Sequence, residues 1–179
     1  MAIETLRPNG AGDKTEITSQ VGLGAHWELV DEVVADDDST YVRGKNYSVY
    51  YRDLYKLPAS SGEGLINKIT VYARFKCDNE ETVGYDKHIC IKSGTTESAK
   101  GVVFSPDVWT TFSEEWTTNP YTSAAWIWAD IDALQIGIDL RRPGSGYSYC
   151  TQVYVEVDYT PSAAVPRHAF INFQGPGIF

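Results

Sequence analysis

The chain is poor in the side chains that usually announce chemistry. It has three cysteines, three histidines and one methionine among 179 residues. Its apolar runs stop after a few residues, far below the roughly 20 needed to cross a bilayer as a helix, so membrane insertion is not expected. Cys77, Cys90 and Cys150 are odd in number, far apart and without a CxxC pair, which indicates neither a disulfide framework nor a zinc site. One disulfide and buried thiols both fit this spacing, and buried thiols are the expectation. Positive charge is also scarce: 15 Lys and Arg stand against 24 Asp and Glu, for a formal net charge of -9. That balance repels a phosphate backbone, and no basic stripe with interleaved aromatics offsets it, so nucleic acid is not an expected partner.

Catalytic signatures are missing as well. The sequence holds no serine elbow, phosphate-binding loop or HExxH. His26, His88 and His168 fall in unrelated segments, and His88 alternates with Ile89 and Ile91, as an exposed strand histidine would. Glu114 and Glu115 invite a glycosidase reading with Asp130 or Asp132, but adjacent carboxylates on a strand point opposite ways. Asp36, Asp37 and Asp38 resemble the start of a calcium loop without its D-x-D-x-D-G spacing, so a solvated turn is expected. No catalytic residue, metal site or cofactor is assigned, and a non-enzymatic protein is expected.

What is abundant is aromatic: 12 tyrosines, six phenylalanines and five tryptophans. Aromatic and β-branched side chains suit pleated surfaces. Segment 65–77, LINKITVYARFKC, sets Leu65, Ile69, Val71, Ala73 and Phe75 on one face and Lys68, Thr70, Tyr72, Arg74 and Lys76 on the other. Segment 147–160 does the same with Val153, Val155, Val157 and Tyr159. Segment 134–140, LQIGIDL, alternates Leu134, Ile136, Ile138 and Leu140 with polar or small residues, which predicts a strand with one buried face. Further strands are expected around 15–19, 46–57, 87–92, 102–104 and 109–116, with SGTTESAKG a loop. Ahead of LQIGIDL, Ile127, Ile131 and Leu134 hold helical spacing, with Thr122 and Ser123 as candidate caps.

Strands at this spacing, with one or two short helical turns, predict an all-β antiparallel two-sheet sandwich of jelly-roll type. Residues 1–14 are expected as an N-terminal arm, 15–160 as the sandwich and 161–179 as a tail. Pro161, Pro166 and Pro176 forbid a regular element in the tail, yet Phe170, Ile171, Phe173, Ile178 and Phe179 are apolar and require burial, either on the tail's own domain or on a neighbouring subunit. Tyr121, Trp126 and Trp128 are candidate faces for stacking on a sugar ring, although packing into the core is the stronger expectation for the tryptophans.

The phrases ETLRPNGAGD, YRDLYKLP, INKITVYARFK, SEEWTTNP, WADIDALQIGI and TQVYVEVDYT, spread over residues 4 to 160, resemble β-sandwich proteins of tailed phages, prophages and uncultivated relatives. The resemblance implies a structural component of a virus or phage particle, such as a capsid decoration protein or a tail or fibre module. Its partners would be copies of itself and other virion proteins. The opening MAIETLRPNGAGD carries no secretory signal pattern, which suits assembly in the host cytoplasm and a place on a virion or extracellular particle. The alternative reading is a carbohydrate-binding, lectin-like module with a surface glycan as its ligand.

Overall fold

The computed structural model describes residues 1–44, 49–78, 87–102, 107–141 and 146–163. It contains β1 (Ala2–Leu6), β2 (Gly10–Thr15), β3 (Ser19–Val21), β4 (Tyr41–Gly44), β5 (Tyr51–Lys56), β6 (Gly64–Cys77), β7 (Lys87–Ser93), β8 (Thr96–Gly101), β9 (Thr110–Trp116), β10 (Gln135–Leu140) and β11 (Ser148–Pro161). A 3-10 turn at His26–Leu29 and a single helical turn, α1 (Trp128–Asp132), complete it. Two antiparallel sheets pack face to face, as the sequence pattern predicts. The first runs β3-β4-β11-β6-β9 with β1 also paired to β11, and the second runs β2-β5-β10-β7-β8. All but two of the links between consecutive strands, β3 to β4 and β7 to β8, cross from one sheet to the other.

The alternating strands explain the sandwich. In the first sheet Ile69, Val71 and Ala73 of β6 stand opposite Val157, Val155 and Val153 of β11, all at most 1% exposed. In the second, Ile136 and Ile138 of β10 stand opposite Ile91 and Ile89 of β7, all fully buried. Each of these Ile and Val side chains contributes about 1.5–3 kcal/mol on burial. Between Lys68 and Ile66 the pairing with β11 shifts register. A one-residue shift exchanges faces, so Ile66 is buried and Leu65, expected inside, is 64% exposed.

Further sequence expectations change. Residues 1–14 contain β1 and most of β2, strands of the two different sheets, and so are part of the sandwich and not an arm. The loop expected in SGTTESAKG contains β8, an edge strand reached from β7 through Gly94, whose φ is +54°. It lacks apolar residues because an edge strand here covers little core. Thr122 and Ser123 do not cap α1: the turn begins after Ile127, whose amide donates to the Asp130 carboxylate (3.2 Å). Ile131 and Leu134 are buried beneath it while Ile127 is exposed. β10 is not a strand with one wet face, since Gly137 and Asp139 are buried as well. The tail residues Phe170, Ile171, Phe173, Ile178 and Phe179, together with His168, lie outside the described residues.

Candidate functional site

β2 and β3 follow one another in sequence but edge different sheets, so the chain between them crosses the open side of the sandwich. After β3 it turns at Gly22 and Gly24, whose φ angles of +112° and +116° favour glycine, and folds back as the His26–Leu29 turn. Glu28 anchors this turn by accepting the Ala25 amide (2.6 Å), and Leu29 and Val30 plug it into the core. The result is a cleft of about 260 Å³. Ala11 and Thr15 of β2, Gln20 of β3, His26 and Trp27 of the turn and Tyr55 of β5 line it. Gln20 is held in place by its own amide nitrogen, which donates to the Gly24 carbonyl (3.1 Å).

Behind the cleft lies a carboxylate where a core residue belongs. Asp53 stands opposite Ile138 on the inward face of β5 and is 0% exposed. A buried charge is costly unless hydrogen-bonded, and Asp53 is bonded at both oxygens. Oδ1 accepts the Ile17 amide (3.0 Å), and Oδ2 meets Nδ1 of His26 at 2.6 Å and the Tyr55 hydroxyl at 3.4 Å. With Nδ1 directed at the carboxylate, His26 is left with Nε2, which bonds to none of the described residues. Burial, and then the nearby Asp53 charge, push the Tyr55 phenol well above its ordinary pKa, so it stays neutral.

The tryptophans separate into two kinds. Trp126 is 2% exposed and its indole donates to the Trp116 carbonyl (3.0 Å), so it offers no face to a ligand. Trp128 is half-buried, donates to the Gly64 carbonyl (2.9 Å) and meets Tyr159 edge-on at 5.0 Å. Trp116 donates to the Ser98 hydroxyl (3.0 Å) and Trp109 to Asp38 (3.1 Å). Only Trp27, among the described residues, has neither an indole hydrogen bond nor a ring partner, and it lines the cleft. Of the candidate stacking residues, Tyr121 alone is well exposed, at 54%. Its ring lies against Gly94.

Other aromatic and charged groups satisfy one another. On the outer face of the first sheet Tyr72 stacks on Tyr154 at 4.7 Å, and the Arg7 guanidinium also sits over the Tyr154 ring. On the outer face of the second, Arg52 of β5 grips Asp139 of β10 and also reaches Glu97, which pairs with Lys14. His88 is not a freely exposed strand residue: it reaches Asp139 (3.2 Å) and packs on Tyr50 at 4.4 Å. The acidic turn is docked, with Asp37 on Arg74, Asp38 on Lys76 and Asp36 on Thr40 and Thr151. Glu115 pairs with Lys68, Glu114 lies near Lys100, Asp130 caps α1 and Asp132 accepts from Ser60. Cys77, Cys90 and Cys150 are buried thiols and form no disulfide.

The sequence alone assigns no site role to His26, Asp53 or Trp27. A signal for one existed: in YYRDLYK, Asp53 shares its alternation with Tyr51 and Tyr55, which places a charge on the aromatic, inward face. His26 and Trp27 reach the cleft only through the fold of an irregular segment.

No protein-family model and no curated protein matches the chain. Among solved structures it is similar to the CBM22-1–GH10 modules of endo-1,4-β-D-xylanase 10B from Clostridium thermocellum, solved with xylohexaose, at TM-score 0.42 and 11% identity over 73% of this chain and 24% of that one. It is also similar to the Stig cyclase FisC from Fischerella sp. TAU, at TM-score 0.45 and 14% identity over 90% and 85% of the two chains. A cyclase from the same organism gives TM-score 0.36 at 12% identity over 75% and 82%. The chain thus spans about a quarter of the xylanase polypeptide. At these scores the likenesses carry no functional argument.

Proposed function

We propose that the protein is a carbohydrate-binding β-sandwich module that takes one neutral sugar ring into the cleft between β2, β3 and the His26–Leu29 turn. The observation that carries this reading is Trp27, which is half-buried against the core yet has no indole hydrogen bond to any described residue and lines the cleft beside Gln20, Thr15 and His26. A pyranose has an apolar C–H face and a rim of hydroxyls, so it matches one flat aromatic surface flanked by donors and acceptors. The cleft, about 260 Å³, lies just below the roughly 300–1,000 Å³ of pockets for drug-sized ligands, which suits a single ring. The net charge of -9 favours neutral over anionic sugars.

Affinity should be modest. At about 0.3 kcal/mol per non-hydrogen atom, a hexose of about 12 such atoms reaches on the order of -4 kcal/mol, a millimolar dissociation constant. A glycan array of neutral and acidic sugars tests the reading, with Trp27→Ala as the comparison. Binding of neutral terminal sugars that weakens about tenfold in the variant supports it. An empty array, or binding indifferent to Trp27, contradicts it. A place on a virus particle stands beside this reading as a proposal for where such a module works, attaching the particle to a glycan-bearing surface, and co-purification with intact particles is its test.

A further inference from the structure

Sugar binding alone does not account for Asp53. A neutral ring needs no buried carboxylate behind the cleft, and an apolar residue at this inward position would avoid the desolvation cost. One oxygen of the aspartate anchors the Ile17 amide, and the other orients His26. This second oxygen, Oδ2, 2.6 Å from Nδ1, accepts a hydrogen bond from the tautomer protonated at that nitrogen, which leaves Nε2 with its lone pair. A carboxylate, an imidazole and then an open cleft, in that order, are the parts of a general base with its positioning group.

The remaining cleft residues limit which reaction such a base can drive. Glycoside hydrolysis needs two carboxylates flanking the bond, and the lining offers no carboxylate at all: Ala11, Thr15, Gln20, Trp27 and Tyr55 surround His26. Opening and reclosing the hemiacetal ring of a free sugar, by contrast, needs only proton transfer. Resting on the sugar-binding reading, we infer that the cleft catalyses interconversion of the α and β anomers of a neutral reducing monosaccharide, with His26 as the catalytic residue and Asp53 as its positioning residue.

Nε2 of His26 takes the proton from the anomeric hydroxyl. The O–H electron pair forms the C=O bond, the bond from C1 to the ring oxygen breaks, and its pair stays on the ring oxygen. The imidazolium returns the proton to that oxygen, which shares C1 with the hydroxyl and so lies within reach of the same nitrogen. After rotation about the C1–C2 bond the steps run backwards on the other face of the carbonyl. No atom, electron or proton is gained or lost, and no co-reactant is required. Asp53 stabilises the transient imidazolium and holds its tautomer.

The experiment follows freshly dissolved α-D-glucose, α-D-galactose and α-D-xylose by polarimetry, with binding measured separately by calorimetric titration. The native protein should speed anomer equilibration of at least one of them in proportion to its concentration. His26→Gln should remove about 100-fold of that enhancement, and imidazole added to His26→Ala should restore part of it. Asp53→Asn should lower the rate while leaving sugar affinity within about twofold, a division that a purely structural role would not produce; circular dichroism identifies any unfolded variant, and His26→Gln with imidazole rescue then decides. A protein that binds sugar but leaves equilibration at the buffer rate overturns this inference and leaves the binding reading standing. Absence of binding overturns both.

Discussion

Arg52 holds Asp139 across neighbouring strands with two parallel hydrogen bonds, Nε to Oδ1 and Nη2 to Oδ2, both 2.6 Å. Burial pushes the Asp139 carboxyl upward, but the bonds from Arg52 and His88 outweigh it and bring its pKa down to about 2. A folded value below the unfolded value of about 3.9 contributes stability above that unfolded value and loses it as pH falls through 2. Asp139 therefore contributes about 2–3 kcal/mol near neutrality. Urea denaturation of Asp139→Asn at pH 7 should show a loss of about 3 kcal/mol, because the variant also leaves a half-buried guanidinium under-paired. Much of the gap between variant and native protein should close by pH 2.

Gly137 sits between β5 and β7 with no room for a side chain. A Cβ there would lie 1.9 Å from the Asp53 carbonyl oxygen, a backbone atom that cannot swing away. Gly137→Ala should cost at least about 1–3 kcal/mol through forced separation of β10 from β5, measured as a lower denaturation midpoint with an unchanged slope. Because Tyr55 of the cleft lies on the displaced strand β5, sugar binding should weaken as well.

The packed and exposed aromatics should separate cleanly in stability. Trp126→Ala removes a side chain that is 2% exposed and should cost about 3–5 kcal/mol. Tyr121→Ala removes one that is 54% exposed and should stay within about 0.5 kcal/mol. Thermal unfolding of the two variants checks the ranking, and neither should alter sugar affinity while the fold persists.

Calcium should not stabilise the protein through its acidic turn. Asp37 and Asp38 are engaged by Arg74 and Lys76, and Asp36 accepts from Thr40 and Thr151. A cation would have to displace these donors without the spaced oxygen cage it needs. Differential scanning fluorimetry with calcium and then with chelator should give superimposable curves.

The central strands were legible in the sequence because each buries a full apolar face: the alternations of β6, β10 and β11 read directly as sheet. Among the edge strands β9 is legible, in the expected strand 109–116, but others are not. β8 and the strands in residues 1–14 draw their stability from backbone pairing to a neighbour, which leaves little periodic trace in Thr-Glu-Ser-Ala-Lys or Gly-Ala-Gly-Asp-Lys. The exchange of Leu65 for Ile66 at the core came from a register shift set by β11, a non-local cause. For the site, alternation marks Asp53 and Asp139 as residues of strands, but only pairing and cover decide that both are buried. His26 and Trp27 depend on two positive-φ glycines and a 3-10 turn, so no periodic signal could have joined them to Tyr55.

The central claim is that the cleft beside Trp27 receives a sugar ring, and amide proton–nitrogen correlation spectra titrated with neutral monosaccharides test it most directly. The account predicts saturable shifts confined to residues 11–15, 20–27 and 53–55, lost in Trp27→Ala. Shifts centred instead on the Tyr72 and Tyr154 face, or spectra unchanged at sugar concentrations well above millimolar, would contradict it.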